Sequence, residues 1–322
     1  MTISAVFGSK SALAALRAHR WASTTDTFSF ADITPVHRAF PGVVEGAYDV
    51  AELALVTFLQ ALDNGRPVTL LPVTLLGRFQ HHCLVTAKET AGLRADSLAG
   101  KRIGVRAWTQ TTGVWVRGFL RDDHGVDVGD VEWVVYEGGH VDGFADPPYA
   151  TRSTSGNTLP VDFLAGAVDA AILGNELPDD PRARTLLPDP ARAAAGWYGR
   201  TGAIPVNHVV VASDDFARAN AHLVAEVCEV LGASVPHPPA VSSSPDLHPR
   251  GFDALQPSLD LAGRYAYEQG IISRPITAAE VRARTEDLTG IDLGHIADPA
   301  DRVDPADRAA PADRAEPAAP AG

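Results

Sequence analysis

Leu98-Ala99-Gly100-Lys101-Arg102-Ile103-Gly104-Val105-Arg106-Ala107-Trp108-Thr109-Gln110-Thr111-Thr112-Gly113-Val114-Trp115 passes from a glycine turn through a short apolar run into a threonine-rich turn and then a helical pattern. Residues 102–106 read as a strand, and Val114, Trp115, Gly118 and Phe119 recur at helical spacing, so the segment is a βα unit. The alternation continues with a strand at 131–136, a helix at 159–166 and a strand at 167–173. Upstream, residues 3–7 form an apolar run that ends at Gly8-Ser9-Lys10, ahead of a helix carrying Leu13, Leu16 and Arg17. Repeated β-to-α alternation predicts an α/β fold with mixed, mainly parallel sheets flanked by helices.

Between 50 and 62 the apolar residues Val50, Leu53, Ala54, Phe58 and Leu62 read as one helix face, stopped by Asn64-Gly65 and Pro67. Strands follow at 68–73 and 84–86. Later, 208–212 reads as a strand, 215–231 as a helix and 255–270 as another. These late elements have no sheet of their own and are expected to return to the first lobe. The expected division is lobe I at 1–80 plus 201–295 and lobe II at 81–200. From 296 to 322, Asp-Pro-Ala-Asp-Arg recurs among Pro and Ala, a composition expected to form a disordered tail.

A chain of 322 residues has room for two lobes, and 45% apolar with 21% charged residues is ordinary for a globular protein. The net charge of −13 argues against a nucleic-acid or anionic-membrane surface, because both need a basic face. Cys83 and Cys228 are too few and too isolated for a disulfide framework or a CxxC site. No secretory leader is legible, and no run approaches the roughly 18 apolar residues of a membrane span, so a cytoplasmic protein is expected. There is no GxGxxG, P-loop or HExxH. Gly138-Gly139-His140 reads as a turn, and His81, His82 and His140 follow no recognised ligand spacing, so no metal is expected.

Five segments resemble, in order and rough spacing, the 4,5-dihydroxyphthalate decarboxylases. They are Tyr48-Asp49-Val50-Ala51-Glu52-Leu53, the 98–105 element, Val114-Trp115-Val116-Arg117-Gly118, Gly202-Ala203-Ile204-Pro205-Val206-Asn207-His208, and Tyr265-Ala266-Tyr267-Glu268-Gln269-Gly270. The resemblance spans most of 45–290. Its Gly-Lys-Arg-Ile-Gly-Val element is widespread among type II periplasmic binding proteins; the tryptophan helix and the Pro-x-x-His strand are more specific. It implies a two-lobed type II periplasmic-binding-protein-like fold, crossed near 78–84 and 197–204, with a small-molecule carboxylate in the interlobe cleft and a homo-oligomeric state. Two departures fall at the expected cleft. Arg106-Ala107-Trp108-Thr109 stands where relatives commonly carry Pro-Glu-Tyr-Gln, and Phe79-Gln80-His81-His82 where they carry Phe-Arg-His-Ser.

Decarboxylating an electron-rich aromatic acid needs an acid to protonate the carboxylate-bearing carbon, fixed donors for the carboxylate and an acceptor for a ring hydroxyl, and it demands no redox cofactor. The resemblance points to His81 as the proton donor. His208, after Pro205 at the start of an apolar strand, reads either as a satisfied core histidine or as a catalytic or hydroxyl contact. Glu52 stands as the one acid at the start of an apolar helix, either a helix-dipole charge or a group that orients a histidine or accepts the phenol proton. Thr109, Thr111 and Thr112 precede the Trp115 helix, where amides and hydroxyls suit an anion, and Trp115 is a further candidate substrate contact. Arg78 and Arg106 are candidates for two-pronged carboxylate contacts, and Ser9 belongs to the same cleft edge by topology. The competing readings are a non-catalytic carboxylate-binding protein and a dehydratase-type lyase on the same architecture.

Overall fold

Short apolar strands followed by capped helices build two sheets in the computed structural model, which describes residues 1–297 apart from 24, 88–91, 175–176 and 237–243. The expected tail lies outside the described residues beyond 297.

The first sheet contains β1 (Thr2–Val6), β2 (Thr27–Phe30), β3 (Val50–Ala54), β4 (Val68–Gly77) and β11 (Val206–Ser213), in the order β2-β1-β3-β11-β4. β1 runs parallel to β2 and β3, whereas β11 is antiparallel to both its neighbours. The second contains β5 (Leu84–Ala87), β6 (Arg102–Val105), β7 (Glu132–Val135), β8 (Ala150–Arg152), β9 (Ala170–Ile172) and β10 (Ala183–Thr185), in the order β10-β5-β9-β6-β7-β8. Here β9, β6, β7 and β8 are parallel and β5 is antiparallel to its neighbours. The chain leaves the first sheet after β4 and re-enters it at β11.

The helices are α1 (Lys10–Ala18), α2 (Phe40–Val44), α3 (Leu55–Asp63), α4 (Thr111–His124), α5 (Leu159–Leu164), α6 (Pro190–Thr201), α7 (Asp214–Ala219), α8 (Ala221–Ser234), α9 (Phe252–Glu268) and α10 (Ala278–Thr289). The main core is continuous across both sheets, and α4 is its pivot: Val114, Trp115, Val116, Phe119 and Leu120 are all buried. Gly118 permits this, because a Cβ there would fall 2.2 Å from the Tyr265 ring of α9. A smaller cluster of Val85, Val134, Leu159, Phe163, Ala171 and Leu173 packs α5 onto the second sheet.

Two expected helices are corrected. Residues 50–54 are the strand β3, and the helix begins only at Leu55. Every residue of β3 is buried, so the strand lacks the alternation that marks a half-exposed one, and it runs straight into a helix with no polar break. The expected 215–231 helix is divided at Asn220, whose φ of −134° and ψ of 46° end α7, while its Nδ2 donates to the Phe216 carbonyl at 3.1 Å. The first correction moves Glu52 from a helix into the sheet and changes where it points.

Candidate active-site cleft

The carboxyl ends of β3, β4, β6, β7 and β9 and the amino end of β11 converge on one cleft, the usual ligand position of an open α/β sheet. A cavity of about 170 Å³ opens there, and its lining includes His37, Phe40, Thr57, Arg78, Arg106 and Thr109 together with Gln110, Thr111, Thr112, His140, Asn207 and His208.

Glu52 enters from β3 and His208 from β11. Their strands pair antiparallel, with His208 opposite Ala54 and Val210 opposite Glu52, so the two side chains are diagonal neighbours on one face. Nδ1 of His208 lies 2.5 Å from Oε1 of Glu52. The other oxygen accepts the amides of Gly8 at 2.8 Å and Ser9 at 2.9 Å, both in the turn after β1. Burial pushes the Glu52 carboxyl up, but the bond and charge of His208 and the two amides outweigh it, so the carboxyl sits below the usual range. With Nδ1 engaged, Nε2 remains for the cleft.

Opposite stands the amino end of α4. Its cap residue Gln110 makes no side-chain cap bond, so the first-turn amides face the cleft with the positive end of the helix dipole. Thr109, Thr111 and Thr112 are each buried to within 4% of complete. Thr111 Oγ1 accepts from the Val56 amide at 3.3 Å, and Thr112 Oγ1 accepts from Asn207 Nδ2 at 3.1 Å. Asn207 in turn accepts from Gln80 Nε2 in a short hydrogen bond. Arg78 lies along Gly174, where a Cβ would fall 2.9 Å from its Nη2. Arg106 pairs with Glu137 at 2.8 Å.

His37 and His140 form the third wall. Burial, reinforced by the Arg106 charge, lowers both, His140 to about 4, so both rings are neutral at neutral pH. Nδ1 of His140 lies 3.2 Å from Thr57 Oγ1. Phe40 meets His140 and His208 edge-on at 5.2 and 5.7 Å between ring centres.

Of the expected site residues, the structure gathers His208, Arg78, Arg106, Thr109, Thr111 and Thr112 around the cleft, with Glu52 behind His208. Three are elsewhere. His81 sits in the turn His81–Cys83, is 1% exposed, stacks on Phe119 at 4.2 Å and, among the described residues, has no hydrogen-bond partner on either ring nitrogen. The turn carries its ring into the core beneath α4, and burial lowers it to about 4. His82, next to it, is exposed. Trp115 is a core residue, its Nε1 donating to the Val206 carbonyl at 2.9 Å and its ring edge-on to Trp197 and Tyr265. Ser9 caps α1 through Oγ and reaches the site only through its amide on Glu52. His37, Thr57, Asn207 and the cleft position of His140 were not expected; the place of His140 just past a strand's carboxyl end was the available signal. Among the described residues no three His, Cys, Asp or Glu side chains gather as a metal site.

No protein-family model matches the chain. It is similar to the 4,5-dihydroxyphthalate decarboxylase of Comamonas testosteroni, with 28% identity over 178 residues covering 51% of this chain and 53% of that protein. It is also similar to the 4,5-dihydroxyphthalate decarboxylase of Pseudomonas putida, with 30% identity over 171 residues covering 47% of this chain and 63% of that one. The chain thus spans between about half and six-tenths of the length of these relatives. Among solved structures it resembles the alkanesulfonate-binding protein SsuA from Xanthomonas axonopodis pv. citri bound to MOPS, with TM-score 0.51, 13% identity, and coverage of 87% of this chain and 96% of that one. The fold is type II periplasmic-binding-protein-like. No helix among the described residues is long and apolar enough to cross a membrane.

Proposed function

We propose that the chain is a carboxy-lyase that removes CO2 from a hydroxylated aromatic carboxylate by protonating the carbon that bears the carboxylate, with His208 as the proton donor. The observation that carries this reading is the Gly8 and Ser9 amides, Glu52 and His208 in series, ending in an imidazole that faces an anion-binding helix terminus. The decarboxylase relatives supply the reaction class. The space, about 170 Å³, is of the order that admits one aromatic ring.

The carboxylate binds at the amides and hydroxyls of residues 109–112 with Arg78 or Arg106, while a ring hydroxyl meets the neutral imidazole of His140 or His37 as acceptor. His208, holding protons on both nitrogens, gives the Nε2 proton to the ring carbon, and Glu52 holds the remaining Nδ1 proton in place. The carbon–carboxylate bond then breaks, its electron pair restores the aromatic ring, and CO2 departs. One proton is taken from solvent per turnover to recharge His208, so electrons and protons balance without a redox partner.

Incubation with hydroxybenzoates and hydroxyphthalates, with CO2 and the decarboxylated arene recorded together, tests this. Equal amounts of both are expected, lost in His208→Gln. Tight binding of these acids with no CO2 released would instead make the chain a carboxylate-binding protein.

A further inference from the structure

Arg117 lies on α4 two turns inside the helix and is 1% exposed. Among the described residues no carboxylate pairs with it. Its Nε donates to Gln269 Oε1 at 2.7 Å and its Nη2 to the Trp108 carbonyl at 2.5 Å, while Nη1 has no hydrogen-bond partner among the described residues. The guanidinium stacks 3.9 Å from the Trp108 ring centre and 5.4 Å from that of Trp133. A Cβ built on Gly113 would come within 2.9 Å of Nη1, so the unpartnered nitrogen sits directly under the first turn of α4. Burial draws Arg117 down to about 9, which leaves it charged at neutral pH.

An unpaired buried cation is costly, and this chain has 40 acidic residues from which a partner could come. Gln269 stands where a glutamate of the same shape would pair with it, and instead its Nε2 donates to the Val114 carbonyl at 2.9 Å. Its own carbonyl accepts Trp108 Nε1 at 3.0 Å. Two segments about 150 residues apart in sequence therefore enclose a guanidinium and withhold a counter-ion, on the inner side of the helix end whose outer side lines the cleft.

We propose that Arg117 is a positioning residue for charge: its uncompensated guanidinium adds to the field of the α4 terminus, so that the acid group of the bound ligand serves as its counter-ion. The proposal rests on the anion-binding part of the functional reading and not on the chemistry. Being enclosed by tryptophans, this charge is poorly screened, so its effect persists at high salt, unlike that of the partly exposed Arg106.

Calorimetric titration of phthalate, benzoate and benzamide into the full chain separates charge from shape, since none carries the ring hydroxyl. Arg117→Gln is expected to weaken benzoate on the order of tenfold, the effect of a unit charge about 10 Å away at an effective dielectric near 20. Phthalate weakens more, benzamide stays within about twofold, and Arg117→Lys restores most of the loss. Gln269→Glu, which adds a carboxylate against the guanidinium, weakens both anions while keeping or raising Tm, and it decides the question alone if Arg117→Gln does not fold. Equal losses for all three ligands, or unchanged anion affinity in Gln269→Glu, overturn the proposal. Anion binding that follows these trends without CO2 release from hydroxylated analogues sinks the decarboxylase reading alone; a wild-type chain that binds neither anion sinks both.

Discussion

Glu52 reaches His208 diagonally across two antiparallel strands, and the 2.5 Å contact fixes which imidazole nitrogen is left for a ligand. Because both residues are rooted in the centre of a sheet, the pair is rigid, and the Gly8 and Ser9 amides leave the carboxylate no other orientation. In Glu52→Gln the new amide can still accept from those backbone groups, but it presents N–H to Nδ1 and so opposes the doubly protonated imidazole that the proposed reaction needs. The decarboxylation kcat should fall by about 10²–10⁴ with KM little changed. Turnover within threefold of wild type would remove Glu52 from the proposed mechanism.

His81 gives a stability prediction and no catalytic one. Its folded-state value is lowered from 6.5 to about 4, so between those values the unfolded chain binds a proton that the folded chain refuses. Stability is therefore lost as pH falls from 6.5 toward 4, by up to about 3 kcal/mol from this ring. His81→Phe keeps the stack on Phe119 and should flatten that part of the Tm-against-pH curve, while turnover at pH 7.5 stays within about threefold of wild type. A hundredfold loss of turnover in a folded His81→Phe would return His81 to the chemistry.

These two histidines mark how far the sequence could be read. The βα alternation is carried by chemistry visible in the chain, apolar runs closed by Gly, Asn and Ser, so the sheets, the threonine turn and most cleft-edge residues were legible. The direction of a side chain at a crossing was not. Gln80, His81 and His82 are consecutive, and whether the second faces the cleft or the core depends on a single three-residue turn and on space beneath Phe119 made by residues far away. Glu52 was identified as a group that could orient a histidine while its element was misread, because a fully buried strand and a buried helix turn share one composition. His37 carries no local signal at all; only the folded positions of β1 and β3 bring its segment over the cleft.

Arg106 should set the protonation of the third wall. Burial is the main cause that lowers His37 and His140, and the Arg106 guanidinium is the next. Arg106→Gln removes the second cause only, so both imidazoles should titrate at higher pH while staying below 6.5, as followed by the NMR shifts of their Cε1 protons. The same variant separates the two guanidinium candidates: KM should rise on the order of tenfold, the scale of one charge-assisted hydrogen bond, if Arg106 holds the carboxylate, and stay near wild type if Arg78 does. Unmoved titrations would mean that Glu137, paired with Arg106 at 2.8 Å, already cancels its field.

Gly8 should be as sensitive as a catalytic residue although it carries no side chain. A Cβ there would meet Val36 at 2.8 and 2.9 Å and would lie 3.6 Å from Oε2 of Glu52. Either the Gly8 amide withdraws from the carboxylate or Val36 is pushed out, and Val36 begins the turn Val36–Ala39 that leads to Phe40, whose ring abuts His140 and His208. Both routes loosen the clamp. Gly8→Ala is expected to cost about 1–3 kcal/mol of stability, as overpacking does, and to lower kcat by about ten- to a hundredfold. Adding Val36→Ala makes room for the new methyl group and should recover most of both losses, which separates crowding from any intrinsic need for glycine at position 8. If the double variant stays as slow as Gly8→Ala, backbone freedom at Gly8 matters and the crowding argument is wrong; if Gly8→Ala alone is fully active, the amides are dispensable to Glu52.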